Sequence, residues 1–141
     1  MPEIRFDTGL VTYDLNGACQ VTFNPTDSSF VERLLSAMEA MDKVQEEHNA
    51  QMEKDEDSGE LFRKARERDK DMREILDRAF DVPVCAALFG EMNLYAMADG
   101  LPVWCNLVLA VMDEVNAAAQ RERKRIDPRL AKFTAKYKKR Q

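Results

Sequence analysis

Apolar residues recur at two different periods along this chain. Between residues 4 and 23 they alternate. Gly9-Leu10-Val11-Thr12-Tyr13-Asp14 and Ala18-Cys19-Gln20-Val21-Thr22-Phe23 flank Asn16-Gly17, a strong hairpin signal. A two-residue Asn16-Gly17 turn would pair Tyr13 with Gln20 and Val11 with Thr22, and would put the apolar sets on opposite faces. A three-residue loop, Leu15-Asn16-Gly17, with a left-handed Gly17 in a G1 bulge, pairs Tyr13 with Cys19 and Val11 with Val21. It also brings Phe23 onto that side. The second register is expected, because a one-residue slip turns a strand's side chains to the wrong face. Ile4 and Phe6 suggest a third, short strand. A lone hairpin is barely stable in water, so its apolar face must cover a helix or a partner.

From Asn24-Pro25 onward the spacing becomes helical. Asp27 or Ser29 can cap a first helix, and Ser29-x-x-Glu32 fits a capping box. Its stripe is Phe30, Leu34, Ala37, Met38, Met41 and Val44, with the helical pattern reaching about Glu53. Glu53 to Glu60 reads as a polar linker. Its likeness to a calcium loop is superficial, since ligands are missing at both ends. A second helix is expected from about Gly59 to Phe80, with Leu61, Phe62, Ala65, Met72, Ile75, Leu76, Ala79 and Phe80 apolar. Between them Arg63 to Asp71 alternates in sign, the mark of a solvated face laced with i,i+4 pairs. Asp81-Val82-Pro83 ends this helix, Val84 to Phe89 is a short helix or turn, and residues 91–100 read as a loop. Leu101-Pro102 should open a third long helix, with Pro102 in its tolerated first turn. That helix buries Val103, Trp104, Leu107, Val108, Val111, Met112 and Val115, and Asp127-Pro128 should stop it. The fold class expected is mainly α with a small N-terminal β-hairpin (α+β): about three long helices plus a short one. Residues 1–25 are the hairpin region, 26–120 a helical body in the same single domain, and 121–141 a basic C-terminal extension.

Charge adds a feature that periodicity does not. The 141 residues carry a net charge of −5, yet residues 121–141 hold ten Lys/Arg against Glu122 and Asp127. That segment is +8, which leaves −13 for residues 1–120. An acidic body argues against a protein lying broadly on DNA. The tail, with Leu130, Phe133 and Tyr137 spaced by three and four, can bind nucleic acid, fold back on the body or dock on a partner. Met1 to Phe6 has no apolar leader segment, and Leu101 to Val115 is too short to span a bilayer, so a soluble protein without membrane contact is expected.

Catalytic chemistry finds little support. His48 is the sole histidine and lies among Glu46, Glu47 and Asn49, where it reads as an exposed surface residue. Cys19, Cys85 and Cys105 lack zinc-site spacing and fit better as small apolar fillers in a reduced protein. Phosphate-cradling glycine motifs are absent from the sequence. An enzyme is therefore not expected, and neither a cofactor nor a metal. Eight methionines are many for this length. Met is flexible and polarizable, so Met38, Met41 and Met72 either line an adaptable binding surface or fill the core. The contact surface expected comprises Met38, Met41, Phe62, Met72, Phe133 and Tyr137.

The order of parts carries a resemblance. The hairpin leads into Phe30-Val31-Glu32-Arg33-Leu34-Leu35, and the charged helix ends Met72-Arg73-Glu74-Ile75-Leu76-Asp77-Arg78-Ala79-Phe80. Then follow Leu88-Phe89-Gly90-Glu91, Asn93-Leu94, Gly100-Leu101-Pro102, a closing helix with Cys105 that ends in Val115-Asn116, and a Lys/Arg-rich tail. This arrangement resembles the small tail-assembly chaperones of long-tailed bacteriophages and prophages, encoded beside the tape-measure protein. The resemblance implies a non-enzymatic helical protein of the host cytoplasm, absent from the mature virion. It would coat the aggregation-prone tape-measure protein while tail-tube subunits polymerise around it. The partners so implied are the tape-measure protein and the tail-tube protein; a homo-oligomer is expected separately, because an open hairpin edge and several amphipathic helices offer self-contacts. The alternatives are a structural virion tail or connector protein, and a small nucleic-acid-binding phage regulator acting through the basic tail.

Overall fold

The computed structural model describes residues 1–53 and 57–125. Its elements run β1 (Val11–Leu15), β2 (Cys19–Phe23), α1 (Ser28–Met52), α2 (Ser58–Phe80), α3 (Val84–Phe89), β3 (Met97–Ala98), β4 (Leu101–Pro102) and α4 (Val103–Lys124). The protein is thus mainly helical with a small N-terminal hairpin. Among the described residues there are three long helices and one short one, and α4 runs through residue 120 without a break.

The hairpin keeps the expected face but changes the register. Leu15 pairs with Cys19, Tyr13 with Val21 and Val11 with Phe23, so the three-residue loop is Asn16-Gly17-Ala18. The loop has slid by one residue and the pairing by two. A shift of two returns each strand to the same face, so Tyr13, Leu15, Cys19, Val21 and Phe23 still share one side. The reason is Leu15. In the expected loop its side chain would be lost to the turn; here it packs against the core while Ala18, with little to bury, takes the turn. Asn16 and Gly17 both adopt positive φ (56° and 69°). The Asp14 carboxylate accepts from the Gly17 N–H (2.6 Å) and Leu15 O from the Ala18 N–H (2.9 Å). Ile4 and Phe6 form no third strand, and both are exposed.

Helices α1 and α2 begin with the same chemistry. Asp27 and Asp57 are the N-caps, each accepting from the backbone N–H two residues on (2.9 Å in both). An Asp oxygen satisfies one of the donors that a helix start leaves open. Ser29 therefore lies inside α1 rather than capping it, and the Ser29/Glu32 capping box does not form. The two helices make a long hairpin whose facing stripes hold Phe30, Leu34, Met41, Met72 and Leu76. Full burial of each such side chain is worth about 1.5–3 kcal/mol. Stacked rings carry the core from the hairpin into the helices: Tyr13 on Phe23 (4.8 Å between centroids), Phe23 on Phe30 (4.0 Å), then Phe30 beside Phe80 (6.1 Å).

The region expected to be a loop is more ordered than its spacing suggests. Met97–Ala98 pairs with Leu101–Pro102 across Asp99-Gly100, both of positive φ. Pro102 is consequently the last strand residue and the N-cap of α4, not a first-turn residue. The missed signal was the Asp-Gly pair itself, which favours tight hairpin turns. This small hairpin also starts α4. Ala96 O accepts from the Val103 N–H (2.8 Å) and Leu94 O from the Trp104 N–H (3.3 Å), so loop carbonyls take donors of the first turn.

Candidate protein-binding surfaces

A groove runs on each side of α4. The first lies between α4 and the N-terminal hairpin, with Tyr13, Leu15, Phe23, Phe89, Leu107 and Val111 among its walls and a volume of about 500 Å³. Its rim carries Asp14 and Glu114, and among the described residues no lysine or arginine lines it. Glu114 accepts from the Tyr13 hydroxyl (3.3 Å) and pairs with Arg121. Burial first, then the Glu114 carboxylate, holds the Tyr13 hydroxyl above its usual pKa, with Arg121 pulling the other way. The hairpin is tied to α4 there.

The second is a shallow trough of about 630 Å³ between α1 and α4. Val31, Leu35, Val115 and Ala119 give it an apolar floor, and Glu32 and Glu39 an acidic edge. Leu35 is 45% exposed although it shares a helix with the fully buried Leu34. Positions 32, 35, 36 and 39 are all exposed and form one face of α1 at helical spacing. Leu35 lines the trough together with Val31, Val115 and Ala119, so these apolar side chains form one small patch.

The charged stretch of α2 is not simply solvated. Asp69 and Arg73 are only 17% and 20% exposed and pair at 2.9 Å. Asp69 also accepts from the Leu94 N–H (2.7 Å), and Arg73 donates to Gly90 O and Met92 O (both 2.7 Å). Asn93 reaches Ala65 O (3.3 Å), and the Tyr95 hydroxyl reaches Met41 O (3.2 Å). Arg68 lies 3.8 Å over the Tyr95 ring and donates to Gln45 (2.8 Å). Burial pushes the Tyr95 hydroxyl up to about 12, against the pull of Arg68. These residues clamp the loop that starts α4, and so hold the walls of both grooves. The signal was visible: Asp69 falls on the stripe Ala65, Met72, Leu76.

His48 is likewise buried, 6% exposed, rather than a surface residue. It continues the stripe Leu34, Ala37, Met41, Val44 at helical spacing, and α2 covers it. Burial first, then Arg68 and Lys64, holds its pKa below the ordinary histidine value. Near it, Met52, Leu61, Phe62 and Ala65 line an open apolar pocket at the tip of the helical hairpin.

The six contact residues expected from sequence therefore separate. Met41 and Met72 have no exposed surface and belong to the core, and Met38 packs partly against it. Phe62 is 67% exposed at the hairpin tip. Phe133 and Tyr137 lie outside the described residues, as does the middle of the 53–60 linker. Sequence reasoning missed Leu35 and the hairpin residues Tyr13 and Leu15 as groove walls. Cys85 is fully buried, with its thiol pushed up by burial and by Asp77, whose carboxylate accepts from the Cys85 N–H (2.9 Å). Cys19 and Cys105 are half-buried and free. Among the described residues no group of three or more His, Cys, Asp or Glu is placed to hold a metal, and no helix is long and apolar enough to cross a membrane. No protein-family model, curated protein or solved structure matches this chain.

Proposed function

We propose that this chain is a tail-assembly chaperone that holds a tape-measure protein in a soluble, extended state until tail-tube subunits enclose it. The order of sequence elements first suggests this reading. The observation that carries it is the α1–α4 trough, with its apolar floor (Val31, Leu35, Val115, Ala119) and acidic edge (Glu32, Glu39). Such a surface suits a helix whose apolar stripe is flanked by basic residues. The floor supplies apolar burial, and the acidic edge supplies orientation and rate of encounter more than affinity. Binding of this kind is reversible, as a factor that leaves the finished tail requires. The proposal places the protein in the host cytoplasm during assembly and outside the mature virion.

The test is co-expression with the tape-measure protein encoded beside it, with a tag on this chain. Recovery of a soluble complex is expected, with the tape-measure protein insoluble on its own. Leu35→Asp should weaken capture at least about tenfold, because it sets a charge on the apolar floor. Failure to form a complex, or retention of this chain in purified particles, overturns the reading.

A further inference from the structure

Two carboxylates on the rim of the α1–α4 trough lack a counter-charge. Glu32 and Glu39 are exposed, and among the described residues neither makes an ion pair. Seven residues of α1 separate them, two helical turns or about 10 Å. Among the described residues no lysine or arginine lines the trough. On its floor Leu35 remains 45% exposed.

The chain leaves the described residues at the mouth of this trough. Helix α4 runs antiparallel to α1. It starts beside Met41, where the Tyr95 hydroxyl donates to Met41 O and Trp104 packs on Tyr95. It ends in a cleft that Arg125 shares with Pro25 and Thr26, and these two residues also line the trough. Arg125 is already extended rather than helical (φ −78°, ψ 130°). Asp127-Pro128 follows, a pair that disfavours further helix. Ala119, on the trough floor, lies six helical steps or about 9 Å before Arg125. The four residues from 126 to 129 reach about 13 Å when extended, so a chain that turns at Pro128 can re-enter the trough at once.

The sequence beyond that turn complements the trough in charge, spacing and direction. From Pro128 onward it holds six Lys/Arg and no Asp or Glu. Leu130, Phe133 and Tyr137 fall on one helical stripe, and Arg129, Lys132, Lys136 and Arg140 on one flank of it. Arg129 and Lys136 stand seven apart, as Glu32 and Glu39 do. A segment returning from Arg125 runs parallel to α1. A right-handed helix laid that way, stripe down, turns its basic flank toward the α1 rim that holds Glu32 and Glu39. Laid the opposite way, it would turn that flank toward α4.

We propose that residues 129–140 fold back as an amphipathic helix into the α1–α4 trough of their own chain, with Phe133 over Leu35 and with Arg129 and Lys136 beside Glu32 and Glu39. So short a tether holds the segment at an effective concentration on the order of millimolar, so a weak contact suffices. The docking involves this chain alone. Its consequence, that a client helix must displace the tail, rests on the chaperone reading.

The experiment is carbodiimide coupling of the purified full chain, which joins a carboxylate directly to an amine in contact with it, followed by mass spectrometry of the monomer band. Links from Glu32 or Glu39 to Lys132 or Lys136 are expected at least about tenfold above links from Glu47 and Glu74, exposed glutamates away from the trough. Leu130→Ser with Phe133→Ser should lower their yield by a similar factor. Lys136→Glu should remove the link between positions 39 and 136, and adding Glu39→Lys should restore it with amine and carboxylate exchanged. Absence of these links from the monomer overturns the proposal, as do links that favour other carboxylates or a charge exchange that restores nothing. Links confined to a dimer band also overturn it, because the tail then seats on a second copy. With no tape-measure protein present, none of these outcomes decides the chaperone reading, which keeps its own test.

Discussion

Removing the Asp69 carboxylate tests whether the charged stretch of α2 is structural. Asp69 accepts from the Leu94 N–H at 2.7 Å and pairs with Arg73 at 2.9 Å, with both side chains four-fifths or more buried. Asp69→Ala leaves the amide of a fully buried leucine without its acceptor and a guanidinium that is four-fifths buried without its counter-charge. An orphaned buried donor costs about 1–3 kcal/mol, and losing one partner of a partly buried ion pair adds to that, so a loss of about 2–4 kcal/mol is expected. Arg73 keeps its two carbonyl partners, Gly90 O and Met92 O, which holds the figure below the full cost of a buried unpaired charge. For a chain of this length the fall in Tm is about 6–12 °C. Urea unfolding followed by circular dichroism and by the fluorescence of Trp104, which packs beside Tyr95 of the clamped loop, measures it. Asp69→Asn can still accept from Leu94 and should fall between wild type and Asp69→Ala. Asp71→Ala, two residues away and exposed, should stay within about 0.5 kcal/mol. An Asp69→Ala loss no larger than that of Asp71→Ala would refute the clamp and return the stretch to a solvated face.

Three further outcomes are expected. Because burial and the neighbouring Arg68 and Lys64 lower the pKa of His48, its stabilising contribution is fully present above the unfolded value of about 6.5 and is lost as pH falls through the folded value. His48→Gln should flatten the decline in urea midpoint below pH ~6.5, and an unchanged pH profile refutes this. Cys85 should react with a maleimide only as the protein unfolds, since it is buried with a raised pKa, whereas half-buried Cys19 should label in the native state; mass spectrometry of labelled peptides separates them. Gly9→Ala should cost about 1 kcal/mol or more, from positive φ and the clash with Asn24; a chain as stable as wild type shows that the backbone at Gly9 is free to move.

Much of the fold was legible in the sequence, for a local reason. The period of apolar residues is set by backbone geometry within each element, so alternation marked the hairpin and its apolar face, and 3.6-residue spacing marked α1, α2 and α4. Asp27 was readable as a cap because capping is a contact two residues long. What the sequence could not decide depends on what packs across from each residue. The hairpin register turned on whether Leu15 had a core to enter, and that core comes from helices beyond residue 28. Asp69, Arg73 and His48 looked solvated because charged and polar neighbours surround them in sequence. Their burial is imposed by segments about twenty residues away, and only their places on the apolar stripes hinted at it. Met41, in the core, and Leu35, on the surface, are both apolar residues of α1, and nothing in their own identity separates them. The groove beside the hairpin exists only where residues 13–15 meet residues 103–114, so tertiary packing alone created it. Local propensity, then, determined which elements form and which faces are apolar, whereas long-range packing decided which of those faces enter the core and which stay exposed.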